Sequence, residues 1–123
     1  MTPQNMSISF IEWGKIDIAG VGTFRDVMLS PGRSNEWDWR KSNTHHVPGI
    51  QPSDVEELLQ LGSDHIVLSR GMQLVLQTSP ETIELLGRLQ IPYVIEETMQ
   101  AVATYNRLLI EGKRVGALIH STC

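Results

Sequence analysis

The sequence predicts an α/β domain of three layers, a mixed β-sheet with flanking helices plus an N-terminal β-hairpin. Three observations predict it. The segment 7–13 alternates apolar and polar residues as a half-buried strand does, and 16–18 follows a Gly14-Lys15 turn in position to pair back on it. Three short apolar runs, "HIVLS" (65–69), "PYVIE" (92–96) and "VGALIH" (115–120), are separated by stretches of helical period, the pattern of strands covered by helices on both faces. With 123 residues, 41% of them hydrophobic, the chain fits one domain with a real core.

Taken in order, the hairpin is followed by a third strand expected over 24–29 and closed by Ser30-Pro31-Gly32. Residues 33–52 show no sustained periodicity and are expected to form one long irregular loop, which in a compact domain points to function. Ser53 as N-cap with Glu56 three residues on reads as a capping box, opening a helix that buries Val55, Leu58 and Leu59 and stops at Gly62. A turn at Gly71 precedes a further short strand expected over 74–76. Ser79 with Pro80 behind it starts a second helix with Ile83, Leu85, Leu86 and Leu89 as its apolar residues. Thr98 is expected to cap a third, whose Ala101, Val102, Tyr105, Leu108 and Leu109 follow helical spacing up to Gly112.

Composition excludes several functions. A formal charge of −4, with ten Lys and Arg scattered along the chain, argues against nucleic acid as a partner. A single cysteine, Cys123, excludes an intramolecular disulfide framework and fits a reducing compartment. No apolar run reaches the roughly 18 to 20 residues of a membrane helix, so no membrane insertion is expected. The first residues lack a cationic stretch followed by an apolar one, and the expected location is cytoplasmic.

The chemistry concentrates in "WDWRKSNTHHVPGIQP" (37–52), which holds two of three tryptophans and two of four histidines. If extended, Trp37 and Trp39 face one side and Arg40 the other, offering a stacking surface and a cation; the plainer reading is that the indoles lid the core beside a structural ion pair. Arg70 and Gly71 follow a strand, where a glycine turn exposes amide protons suited to a phosphate or carboxylate, although no nucleotide-loop spacing is present. Adjacent His45 and His46 invite a metal, with His120 and Cys123 able to join, but no zinc spacing is present and neither metal nor cofactor is assigned. His46 reads instead as a hydrogen-bonded loop anchor. The terminal "HSTC" has the residue types of nucleophilic catalysis without a visible base and oxyanion framework, so no catalytic residue is assigned. Strand ends are where open α/β sheets place ligand crevices. The candidate site is therefore a rim of Trp37, Trp39, Arg40 and His46 over a floor of Arg70, Gly71, Thr98 and His120, with Asn106 turned towards it.

The motifs "WDWR", His46, "PGIQPSDV", "SRGM", "ETMQAVATYN" and "HSTC" occur in one order from about Phe10 onward. Together they resemble the small single-domain family that includes the human adipogenesis-associated domain protein and, more distantly, an assembly factor of mitochondrial respiratory complex I. The resemblance implies a single domain over 1–123 with a mixed sheet, helices on one side and a hairpin packed elsewhere. It implies no established reaction, but a cytoplasmic regulatory or assembly-type protein linked to metabolic regulation or adipocyte differentiation. The chain departs from the family pattern at Gln90, where a glycine often closes the second helix, with Gly87 three residues earlier, and at Ala117. That helix is accordingly expected to end early or fray.

Two functions are expected from the sequence. The first is a non-enzymatic interaction module with a protein partner, anchored through Trp and Arg. The second is a binder of, or enzyme acting on, a small anionic metabolite, with Arg40 and Arg70 holding the anion and His46 or His120 moving a proton. A closed pocket of convergent arginines would favour the second.

Overall fold

A computed structural model describes residues 6–123. The hairpin forms as the alternation requires: β1 (Ile8–Glu12) and β2 (Lys15–Ile18) pair antiparallel around a turn at Gly14, and β3 (Gly22–Phe24) extends them to a three-stranded sheet. The second sheet contains β4 (Asp26–Ser30), β5 (Arg33–Glu36), β6 (His65–Ser69), β7 (Tyr93–Glu96) and β8 (Val115–His120), in the order β5-β4-β8-β6-β7. It is mixed, because β8 runs parallel to β6 and antiparallel to β4. Among the described residues four helices complete the fold: α1 (Trp39–Ser42), α2 (Pro52–Gln60), α3 (Pro80–Arg88) and α4 (Thr98–Ile110).

Period-two alternation sorts the side chains of the larger sheet into two cores. Val27, Leu29, Val67, Ala117 and Ile119 face α4 and the three-stranded sheet, packing on Ile16, Ile18, Ala101 and Tyr105. Met28, Ile66, Leu68 and Leu118 face the other way, onto Val55 and Leu58 of α2, Leu86 of α3 and Trp37. Helices therefore lie on both faces, rather than on one as the family resemblance implied. Every residue of β8 is buried, as expected of a central strand.

Several local expectations are corrected. The strand expected over 24–29 is two strands of different sheets, broken at Arg25. The segment expected as irregular from 33 to 52 begins with β5, an edge strand held by β4, and contains the single helical turn α1. No strand forms over 74–76, where Leu74 takes a left-handed conformation (φ 64°) and Val75 is exposed. Helix α2 starts earlier than expected, with Pro52 in its first turn and the Asp54 carboxylate accepting the Gln51 N–H. Glu97, not Thr98, is the N-cap of α4 and accepts from the amides of Met99 and Gln100.

The expected fraying of the second helix is absent. After Leu89, Gln90 adopts φ 58°, its N–H reaches Gly87 O, and the Ile91 N–H reaches Leu86 O at 3.0 Å, with Ile91 and Leu86 in the same core. That is a Schellman closure. The same pair of bonds closes α2 at Gly62 and α4 at Gly112.

Candidate functional site

Topology gathers one edge of the larger sheet. Parallel β6, β7 and β8 end there at Ser69, Glu96 and His120, while antiparallel β4 begins there at Asp26, opposite His120. β5 ends at the same edge, and the Trp37 N–H donates to Asp26 O, so the tryptophan segment starts beside the strand ends. Trp37 belongs to the core of α2 and α3, placing this segment opposite the hairpin.

A buried carboxylate shapes the segment. Asp54 accepts the Trp37 indole N–H at 3.1 Å and the Ser42 hydroxyl on one oxygen, and the Thr44 hydroxyl and Gln51 N–H at 2.9 Å on the other. Four donors from three stretches of chain thus converge on one side chain that is itself buried. Sequence reasoning missed this residue. Its signal was Pro52, which marks a first helical turn as Pro80 does and places an acidic residue where it can reach back to Gln51.

The aromatic residues form a continuous chain. The Trp37 and Trp39 ring centroids lie 5.3 Å apart, although Trp39 opens a helical turn and the two are not on one extended strand. Trp39 then touches His46 at 5.0 Å and His120 at 4.8 Å, and the imidazoles are 5.3 Å from each other. The Trp39 indole N–H is buried and has no hydrogen-bond partner among the described residues.

Both histidines are engaged. His120 Nδ1 lies 2.9 Å from Asp26 Oδ1, an acceptor that fixes that nitrogen as a protonated one, and Nε2 lies 3.1 Å from Thr122 Oγ1. His46 Nε2 lies 3.2 Å from Cys123 Sγ. Burial, reinforced by His120, lowers the His46 pKa below its ordinary 6.5 and favours the neutral ring. His45 is exposed and turned to Asn43, outside the cluster.

The last residues are fixed by backbone bonds. Gly14 donates to Ser121 O, Met72 to Thr122 O and Val75 to Cys123 O, while the Ser121 hydroxyl donates to Arg25 O. Thr98 Oγ1 donates to His120 O at 2.8 Å, and its N–H reaches Gly71 O. Gly71 has φ 81°, and a Cβ there would meet the Cys123 carbonyl group, so this glycine answers both a left-handed backbone and a close approach. Thr98, Gly71, His46, His120 and Trp39 therefore meet at the sheet edge.

Other candidates do not join them. The Arg40 side chain is exposed and paired with Asp38 at 3.0 Å, a hydrogen bond that lowers the Asp38 pKa and raises that of Arg40. Arg70 bends onto its own loop, its guanidinium 3.4 Å from Leu74 O. Each arginine is thus taken up locally. Asn106, expected to turn towards the crevice, instead holds β1: its Oδ1 accepts the Ile8 N–H and its Nδ2 donates to Ile8 O, both at 2.9 Å. A groove of about 450 Å3 between β5, α1 and α2 is lined by charges of both signs, Arg33 and Lys41 with Glu36, Asp38 and Glu57.

The segments that meet at this edge carry exposed apolar side chains. Trp13 (53% exposed) adjoins Gly14, Val47 (70%) follows His46, Met99 (50%) follows Thr98, and Leu74 and Val75 lie on the loop bonded to Cys123. Each comes from a segment hydrogen-bonded to residues 120–123.

A family model described as "Protein of unknown function (DUF498/DUF598)" matches residues 8–120. Among solved structures, a chain described as an outer membrane protein from Bartonella henselae is similar over 100% of both chains, at 22% identity and a TM-score of 0.78. A conserved hypothetical protein from Pyrococcus horikoshii is 27% identical over 96% of this chain and 100% of its own, with a TM-score of 0.75. A Bordetella pertussis protein described as a Mth938-like domain shares the fold at 18% identity over 98% and 90%, with a TM-score of 0.60. No helix among the described residues is long and apolar enough to cross a membrane.

Proposed function

The chain belongs to the DUF498/DUF598 family, and from that premise we propose that it is a non-enzymatic regulatory or assembly-type interaction protein that docks a protein partner at the edge where β6, β7 and β8 end. One observation carries the reading: Trp13, Val47, Leu74, Val75 and Met99 stand exposed on segments bonded to residues 120–123. Apolar residues set around a rigid centre suit an apolar segment of a partner. Trp37 is not an anchor here, because its indole is spent inside the core on Asp54. The cytoplasmic setting and the link to metabolic regulation or adipocyte differentiation rest on the resemblance of the sequence motifs.

The alternative, a binder of or enzyme acting on a small anionic metabolite, draws support from His46, His120 and Cys123 lying together. It is weakened by the arginines, since Arg40 is neutralised by Asp38 and Arg70 is folded onto Leu74.

Site-directed photo-crosslinking tests the docking reading, with the probe at Trp13 or Val47 on this edge and at Ile83 or Leu89 on the exposed face of α3 as control. A partner crosslinked from the edge positions, and rebinding the purified chain when itself purified, is the expected result. Equal crosslinking from α3, or failure to rebind, contradicts it.

A further inference from the structure

We propose that His46, His120 and Cys123 form a binding site for one zinc ion, with Asp26 orienting His120. A ligand atom of each residue lies within 4.8 Å of the others, and the Cys123 sulfur is already 3.2 Å from His46 Nε2. Tetrahedral zinc, with bonds of about 2.0–2.1 Å to nitrogen and about 2.3 Å to sulfur, separates its ligand atoms by roughly 3.3–3.6 Å. The three donors therefore need shifts on the order of an ångström to converge. Two imidazoles and a thiolate are borderline-soft donors, which favours zinc over magnesium or calcium.

The surroundings match what a metal-binding histidine needs. Asp26 accepts the Nδ1–H of His120, which in the neutral ring leaves the Nε2 lone pair to ligate, the carboxylate–histidine–metal arrangement that fixes tautomer and ring orientation. Among the described residues the Thr122 hydroxyl lies 3.1 Å from that nitrogen, and a bound metal takes its place there. His46 is held by Gln77 donating to its carbonyl, and Cys123 by Val75 donating to its own. The backbones that carry the donors are thus held before any metal arrives, although His120 and Cys123 lie 74 and 77 residues beyond His46, too far for a spacing motif to join them. Binding replaces the thiol proton, which leaves to solvent as the sulfur ligates as thiolate. Three protein ligands leave a fourth position for an outside ligand, beside the Trp39 indole and its unpartnered N–H.

The proposal is independent of the docking reading, because its test needs the chain alone. Co2+, a spectroscopic stand-in for zinc, is titrated into the full chain kept reduced. The expected result is a thiolate-to-cobalt charge-transfer band and four-coordinate visible bands that saturate at one equivalent and are displaced by Zn2+. The charge-transfer band disappears in Cys123→Ser. His46→Gln abolishes saturable binding, and Asp26→Asn weakens it about 10–100-fold, with circular dichroism reporting whether each variant is folded. A folded chain with no saturable band overturns the proposal. So does binding that folded His46→Gln and His120→Gln leave unchanged, which would assign the metal to the thiol alone. If the histidine variants do not fold, the wild-type stoichiometry, displacement by Zn2+ and four-coordinate spectrum decide the matter.

Discussion

The indole N–H of Trp37 is held at 3.1 Å by the carboxylate of Asp54, 17 residues further along, and this bond joins the tryptophan segment to the first turn of α2. The same carboxylate receives Ser42, Thr44 and Gln51. Asp54→Ala leaves several buried donors unpaired and is expected to cost about 2–4 kcal/mol, measured by urea denaturation. Asp54→Asn, which keeps one acceptor oxygen, is expected to cost less. Equal stability of the alanine variant and wild type would show that the network holds nothing.

Gln90 stands in the left-handed conformation that Gly62 and Gly112 occupy at the ends of α2 and α4. Gln90→Gly relieves the Cβ clash there, offset in part by the greater freedom of glycine in the unfolded chain. The net effect expected is stabilisation by about 0.5–1 kcal/mol, read as a rise in Tm. Destabilisation would mean that the Gln90 side chain contributes more than its backbone costs.

Gly71 faces the Cys123 carbonyl with no room for a methyl group. Gly71→Ala is expected to destabilise by about 2–4 kcal/mol and to free the final residues, so that Cys123 reacts faster with a thiol reagent. Unchanged reactivity would contradict the anchoring of the C-terminal segment.

His46 is partly buried, which holds its pKa below the ordinary 6.5 that it regains on unfolding. The unfolded chain therefore binds the proton first. Stability is full above about 6.5 and is lost as pH falls through that value towards the folded one. Melting of metal-free protein at about pH 7.5 and about pH 5 is expected to show a smaller loss for His46→Gln than for wild type. Equal losses would remove His46 from the acid sensitivity.

What was legible in the sequence followed local physics. Ser79 and Pro80 mark the start of α3 because cap and first-turn preferences act within four residues, and two apolar runs mark β6 and β8 because buried strands must be apolar, while the third marks β7, a half-buried edge strand. β5 was hidden, since "RSNE" has no apolar signal and becomes a strand only by pairing with β4. The run 74–76 misled for the opposite reason: it is apolar, but Leu74 and Val75 face outward and only Leu76 is buried. At the sheet edge, residue types singled out His46, His120 and Thr98, while their meeting with Asp26 and Cys123 depends on strand order. The plainer reading of Trp37 and Arg40, an indole lidding the core beside a structural ion pair, holds because Asp38 is only two residues from Arg40 and captures it locally.

Affinity of the purified, crosslink-identified partner for edge and control variants tests the docking of a protein at the strand ends most directly. By calorimetry, Trp13→Ser and Val47→Ser are each expected to weaken binding at least about tenfold, while Ile83→Ser and Leu89→Ser leave it unchanged. Undiminished binding by both edge variants, or an equal loss from the α3 pair, would place the docking surface elsewhere.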